Sequence, residues 1–260
     1  MIKALFFDID GTLVSFLTHR IPDSTVEALR KAKANGIKIF ISTGRPVSII
    51  TNLVQIESLI DGYITTNGAY CFVGNEVVCC HDMQRKDVEI ILKDSDSKGY
   101  PTVIVTEKSF VVHNNGPIFD RIFRQGLKVD NVDYSKTYED IKDERILQVT
   151  PFINAEQEAE LSPQLKNCTL GRWHPDFVDI TAVGIDKANG LVSMAEHEHL
   201  KIEEAMAFGD GGNDISILKK AGIGVAMGNG LEEVKVCADY VTTPIDEDGV
   251  KNALLHFQVI

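Results

Sequence analysis

The chain has 260 residues, enough for one large domain or two small ones. Its apolar fraction of 44% and charged fraction of 25% are those of an ordinary globular protein. A formal net charge of −12 excludes a general nucleic-acid or anionic-membrane binder, since both need a basic surface. A locally positive pocket for a small anionic substrate stays open.

The first predicted element is a buried strand over residues 3–7, ending in Asp8-Ile9-Asp10-Gly11-Thr12. Ser24-x-x-Glu27 reads as a capping box that opens a helix, and Gly36 closes it after Lys33. Residues 37–41 are apolar and β-branched, a second strand, and Pro46 suits the first turn of another helix. A third short strand covers 62–66. This alternation predicts a parallel sheet with helices on both faces.

The rhythm changes after that. Residues 72–78 read as a hairpin with Gly74-Asn75 as its turn. From about 82 to about 181 helical segments (87–98, 118–125) mix with strand-like ones (102–106, 110–113, 146–150, 169–173, 177–180), as expected of an inserted α+β domain. Alternation resumes with helices over 188–199, 214–221, 231–237 and 250–257. Strands are predicted at 205–208, at 224–227 and near Tyr240. The division expected is therefore a core of 1–81 and 182–260 with a cap of 82–181.

The five cysteines, at 71, 79, 80, 168 and 237, are odd in number and form no C-x-x-C, so reduced thiols are expected. The apolar run before Asp8 is too short for a signal peptide, and no stretch approaches the roughly 20 apolar residues of a membrane span. A cytoplasmic monomer is expected, with a small-molecule phosphate ester as its partner and neither nucleic acid nor membrane.

The chemistry gathers at strand ends, where ligands of open parallel sheets sit. Asp8 and Asp10 are two apart, so an extended chain turns both carboxylates to one face. Such a pair needs a compensating charge, and hard oxygen donors suit Mg²⁺. The other strand ends carry Ser42-Thr43-Gly44-Arg45, Thr66-Asn67-Gly68-Ala69 and Gly209-Asp210-Gly211-Gly212-Asn213-Asp214, and Lys187 opens the helix after the insert. The Gly209 to Asp214 run alone is also compatible with an Asp/Gly turn or half a calcium loop, but no terminal Glu follows.

Asp8-Ile9-Asp10-Gly11-Thr12, Thr43-Gly44-Arg45, Lys187 and Gly209-Asp210-Gly211-Gly212-Asn213-Asp214 resemble the four motifs of the haloacid dehalogenase-like superfamily. Their order and spacing resemble the Cof-type phosphatases, whose α/β cap lies between the second and third motifs. Thr66 to Ala69 and the ending Pro244-Ile245-Asp246-Glu247-Asp248-Gly249-Val250 are similar to the same group, sugar-phosphate phosphatases above all.

The resemblance implies a doubly wound α/β core with an α+β cap, and it implies roles. Asp8 is the expected nucleophile. Asp10 is the expected acid and then base. Mg²⁺ is expected on Asp8, the backbone carbonyl of Asp10, and Asp210, with Asp214 behind them or bound through water. Lys187 offsets the carboxylates. Thr43, the amide of Gly44 and Asn213 hold the phosphoryl oxygens, while Arg45 and Asn67 face the substrate on the open side. In the cap, Arg172, Trp173 and His174 are the most pocket-like residues, polar or aromatic at a strand end, although such a run more often serves cap structure than substrate contact. Two other readings share part of this inventory. A phosphomutase of the same superfamily would need a basic cluster in the insert. A receiver-type signalling domain would have adjacent acids and no insert.

Overall fold

The computed structural model describes residues 1–129 and 135–260. Among the described residues two sheets form. The larger contains β1 (Ala4–Phe7), β2 (Lys38–Ser42), β3 (Gly62–Thr65), β4 (Tyr70–Val73), β5 (Glu76–Cys80), β11 (Ala205–Gly209), β12 (Ile223–Ala226) and β13 (Tyr240–Val241). Its order is β13-β12-β11-β1-β2-β3-β4-β5, parallel from β13 to β3 and antiparallel beyond.

β1 is an uninterrupted apolar run because both of its faces are covered. Leu5 and Phe7 face helices α1 (Asp23–Ala34) and α9 (Gly249–His256), through Leu29, Ala32, Ala253 and Leu254. Ala4 and Phe6 face α6 (Lys187–His197), α7 (Ile215–Lys220) and α8 (Glu232–Cys237), through Leu191, Met194, Ile217 and Val234. Ring stacking continues across strands, with Phe6 on Phe40 and Phe7 on Phe208 at centroid distances of 4.8 and 4.6 Å. The strand order reverses at β1, whose neighbours are β2 on one side and β11 on the other, so a crevice opens beyond these carboxyl ends.

The smaller sheet, in the order β7-β6-β8-β10-β9, is antiparallel throughout. It comprises β6 (Thr102–Thr106), β7 (Phe110–His113), β8 (Ile146–Pro151), β9 (Cys168–His174) and β10 (Phe177–Ala182). Helix α2 (Arg85–Lys98) covers one face through Val88, Ile91 and Leu92. The other face carries α3 (Pro117–Phe119), which runs on into π-helical turns over Asp120–Gly126, and an aromatic core of Phe119, Phe123, Phe152 and Phe177. Two short helices, α4 (Tyr138–Ile141) and α5 (Ala155–Leu161), complete this part. The fold is thus α/β, a doubly wound core with an inserted α+β unit.

Two local expectations are corrected. Helix α1 starts at Asp23 after Pro22, one residue before the expected cap, so Ser24 lies inside the first turn and makes no capping bond. Glu27 pairs instead with Lys31 one turn on, at 3.0 Å. The helix expected after Pro46 is a single 3₁₀ turn, Val47–Ile49. The Ile49 side chain inserts into the aromatic core of the second sheet and its carbonyl accepts from Arg45, which takes it away from a continuing helix.

Candidate active site

Asp8 follows β1 directly, and its amide donates to Phe208 O at 3.1 Å, which places it beside the end of β11. Gly11 then turns the chain at φ +87°, and any Cβ there would collide with the carboxylate of Asp210. That missing side chain is what lets Asp210 approach Asp8. Thr12 Oγ1 donates to Asp210 Oδ1 at 2.8 Å and fixes its direction.

Asp214 sits in the 3₁₀ turn before α7. Its Oδ2 accepts from the amides of Asp210 and Gly211, at 3.0 and 2.9 Å. Its Oδ1 accepts from Lys187 Nζ at 2.6 Å, and the same ammonium donates to Asp8 Oδ1 at 2.7 Å. Lys187 is fully buried at the first turn of α6. Oxygens of Asp8, Asp210 and Asp214 all lie within 4.8 Å of one another. Three carboxylates against one ammonium leave excess negative charge, and hard oxygens in this grouping fit a divalent cation. Asp8 and Asp210 suit it as direct ligands, because both oxygens of Asp214 are committed elsewhere.

The electrostatics agree. Burial pushes Asp8 up to about 7, with the Asp214 and Asp10 charges adding to it and Lys187 opposing. Burial also lifts Asp210 well above the usual carboxylate range, helped by Asp8 and Asp214. For Lys187 burial works downward, yet the charges of Asp214 and Asp8 outweigh it and hold the ammonium above its ordinary value.

The loop after β2 is laced to the loop after β3. Thr43 donates its amide to Ile64 O at 2.8 Å, and its carbonyl accepts from the Asn67 amide at 3.0 Å. Thr43 Oγ1 accepts from the Arg45 amide at 3.1 Å. Gly44 lies under Asn67 and Asp179, where a Cβ would sit 2.9 Å from Asp179 Oδ2.

Arg45 and Asn67 are not on an open face: both are buried, 5% and 6% exposed. Arg45 meets both oxygens of Asp10 through Nε and Nη2; Nη2 also donates to Leu127 O at 3.2 Å, and Nη1 donates to Ile49 O at 3.0 Å. Arg45 thus lines the cavity with its guanidinium engaged by Asp10 and two carbonyls. Asn67, at φ +51°, accepts at Oδ1 from Asn213 Nδ2 at 3.0 Å. Its Nδ2 donates to Gln148 Oε1 and to Asp179 Oδ2, at 3.0 and 2.9 Å, both in the second sheet.

A cavity of about 620 Å³ opens between the two sheets, walled by Asp8, Asp10 and Asn213 below and by Trp173 and His174 above. Of the three expected cap residues, Arg172 turns away. It pairs with Glu158 at 2.6 Å and donates to the carbonyls of Ile153, His174 and Pro175. Trp173 and His174 do reach the cavity. His174 stacks on Phe177, and its Nδ1 accepts from the Asp176 amide at 3.1 Å, which leaves Nε2 as the protonated nitrogen. Burial lowers its basicity.

The sequence reading missed Asp179 and Gln148, which meet Asn67, and Thr150, which donates to Asp179. A signal was present: an acid inside the apolar strand 177–180 needs buried donors.

Among the described residues no helix is long and apolar enough to cross a membrane. A family model for haloacid dehalogenase-like hydrolases matches residues 5–254. The chain is 50% identical to the solved HAD subclass IIB sugar phosphatase BT4131, covering 99% of this chain and 100% of that one, with a TM-score of 0.96. It is 36% identical to the phosphatase BT1666 of Bacteroides thetaiotaomicron, covering 100% and 96% of the two chains, with a TM-score of 0.88. Its identity to the Bacillus subtilis 5-amino-6-(5-phospho-D-ribitylamino)uracil phosphatase YcsE is 29%, over 98% of this chain and 96% of the relative. With this acidic cluster around a buried lysine at the sheet's switch point and the family match over nearly its whole length, this chain belongs to the haloacid dehalogenase-like hydrolases and is a phosphatase.

Proposed function

We propose that this phosphatase hydrolyses small phosphorylated metabolites, hexose phosphates foremost, through an aspartyl-phosphate on Asp8 and with Mg²⁺. The observation that carries the reading is the placement of Asp8, beside Lys187 at 2.7 Å and facing a cavity large enough for a sugar phosphate. The sugar-phosphatase relative at 50% identity supports the substrate class.

A carboxylate oxygen of Asp8 attacks phosphorus as the ester P–O bond breaks, and the leaving oxygen takes a proton from Asp10. Water then attacks the aspartyl-phosphate, Asp10 takes its proton, and phosphate leaves with the Asp8 carboxylate restored. Lys187 holds the attacking carboxylate in place and offsets its charge. Thr43, the Gly44 amide and Asn213 receive the phosphoryl oxygens, stabilisation that supplies most of the catalysis in phosphoryl transfer. Mg²⁺ held by Asp8, Asp210 and the Asp10 carbonyl would add positive charge at those oxygens. Arg45 gives each Asp10 oxygen one hydrogen bond, so the carboxyl is held in place while a further lone pair stays available for the leaving-group proton. Residues 1–81 and 182–260 form the catalytic core in this reading, and 82–181, of which 130–134 lie outside the described residues, act as the specificity cap.

The test is kcat/KM over hexose and pentose phosphates, nucleotides, flavin and pyridoxal phosphates, with and without Mg²⁺, in the native chain and Asp8→Asn. Hexose phosphates should lead by about tenfold or more, and Asp8→Asn should fall by about three orders of magnitude or more. Undiminished turnover in Asp8→Asn removes the nucleophile assignment, and a lead for another ester class removes hexose phosphates.

A further inference from the structure

The carboxylate of Asp179, on β10 and 4% exposed, accepts four hydrogen bonds. Oδ1 takes Thr150 Oγ1 and Gln148 Nε2, at 2.7 and 3.1 Å. Oδ2 takes Trp173 Nε1 and Asn67 Nδ2, at 3.0 and 2.9 Å. Three of these donors belong to the same small sheet as Asp179. The fourth belongs to the loop after β3 of the large sheet, so the carboxylate is filled only when the two sheets meet as they do here.

Each link has a direction. The indole nitrogen only donates and an ionised carboxylate only accepts. Asn67 must therefore turn Nδ2 toward Asp179, which leaves Oδ1 for Asn213. Turning the amide round would set a donor against Asn213 Nδ2 and an acceptor against Asp179. Trp173 and Asn213 both line the cavity, one on the wall facing the leaving group and one beside the phosphoryl position. A run of Trp173, Asp179, Asn67 and Asn213 thus joins the two walls through hydrogen bonds of fixed polarity. A buried carboxylate is expensive as packing alone, since apolar side chains fill such a position with less desolvation.

We propose that Asp179 is a positioning residue that couples the leaving-group wall to the phosphate wall, holding Trp173 as a fixed face over the ester's alcohol portion once Asn67 is engaged. The proposal rests on the phosphatase reading above for the assignment of the two walls. It separates esters by size. A hexose phosphate reaches the Trp173 wall, whereas acetyl phosphate carries a leaving group too small to do so.

Trp173 is the sole tryptophan of the chain, so intrinsic emission reads this link directly. The experiment compares the native protein with Asp179→Asn, which keeps the shape but sets an amide among four donors. Steady-state kinetics on glucose 6-phosphate and acetyl phosphate are measured alongside the emission change on adding inorganic phosphate with Mg²⁺. The expected result is a KM for glucose 6-phosphate raised about tenfold, kcat/KM for acetyl phosphate changed less than about threefold, and the phosphate-induced emission change lost. A role confined to stability would lower the melting temperature and leave the emission response and the ratio of the two substrates where they are, and that outcome overturns the proposal. Equal losses on both esters overturn it as well. Should Asp179→Asn fail to fold, Thr150→Val removes one donor and keeps both the carboxylate and the reporter. A rise of about twofold in the glucose 6-phosphate KM supports the coupling, and no rise overturns it. Native protein that cleaves neither ester would instead remove the proposed sugar-phosphate reading.

Discussion

The guanidinium of Arg45 meets both carboxylate oxygens of Asp10, from Nε at 2.7 Å and from Nη2 at 2.8 Å. The pair is almost wholly buried, with side-chain exposures of 4% and 10%. Such a fork positions Asp10 without consuming it, and breaking it from one side strands a charge. Arg45→Met is expected to lose about 3–5 kcal/mol of stability, and Arg45→Met with Asp10→Asn clearly less. Urea midpoints of both single variants and of the double variant check this; a double-variant loss equal to the sum of the two single losses would mean the pair is not coupled.

Asp10→Asn tests the proton role separately. Hexose phosphate turnover should drop by about two to four orders of magnitude, because the alkoxide then leaves unprotonated. An activated aryl phosphate, whose leaving group needs little help, should lose far less. Equal loss on both esters would contradict the acid role.

Lys187 lies between Asp8 and Asp214 with no exposed surface. Lys187→Met leaves both carboxylates facing each other and Asp210. Turnover is expected to fall by about three orders of magnitude and stability by about 3–5 kcal/mol. Lys187→Arg is not expected to rescue either, since a planar fork cannot replace a compact ammonium in this space. Kinetics and thermal melts of the two variants decide it.

Stability should depend on pH in a definite direction when divalent cations are chelated. Asp8 is raised from 3.8 to about 7 by burial, and Asp210 is raised by the same cause. Between these values the folded chain holds protons that the unfolded chain has released. Stability therefore falls as pH rises from about 4 to about 7, by at most about 1.4 kcal/mol per unit for each such group, and this contribution levels off above. Mg²⁺ should flatten the fall. Urea midpoints at pH 5, 6 and 7.5, with chelator and with Mg²⁺, make the comparison; a midpoint that climbs with pH in chelator would refute it.

Gly11→Ala is expected to weaken divalent-cation affinity by about tenfold or more and to cost about 1–3 kcal/mol, because a Cβ at φ +87° displaces Asp210. Calorimetric titration with Mg²⁺ is the readout, and it needs no turnover. Unchanged affinity would show that Asp210 does not ligate.

Much of the site was legible because the relevant information is local. Short apolar runs ending in Asp8, Thr43, Asn67 and Asp210 announce strands and loops at once, and parallel packing brings such ends to one edge of the sheet. Lys187 was legible through its spacing from the other motifs, although it is 179 positions from Asp8.

By itself the sequence determined the α/β alternation, the strand ends that bear the acids, and the residues that gather there. The destinations of several side chains were decided only by the tertiary structure. Arg45 turns to Asp10 because a buried guanidinium takes whichever acceptors surround it, and here those include two carbonyls as well. Arg172 turns to Glu158 and three carbonyls while Trp173 and His174, next to it on β9, meet the cavity, where the register with β10 slips between Phe177 and Asp179. Asp179 acquires its fourth donor from a loop 112 positions away. These outcomes depend on long-range pairing and on the direction of single side chains, quantities that strand and helix periodicity do not carry.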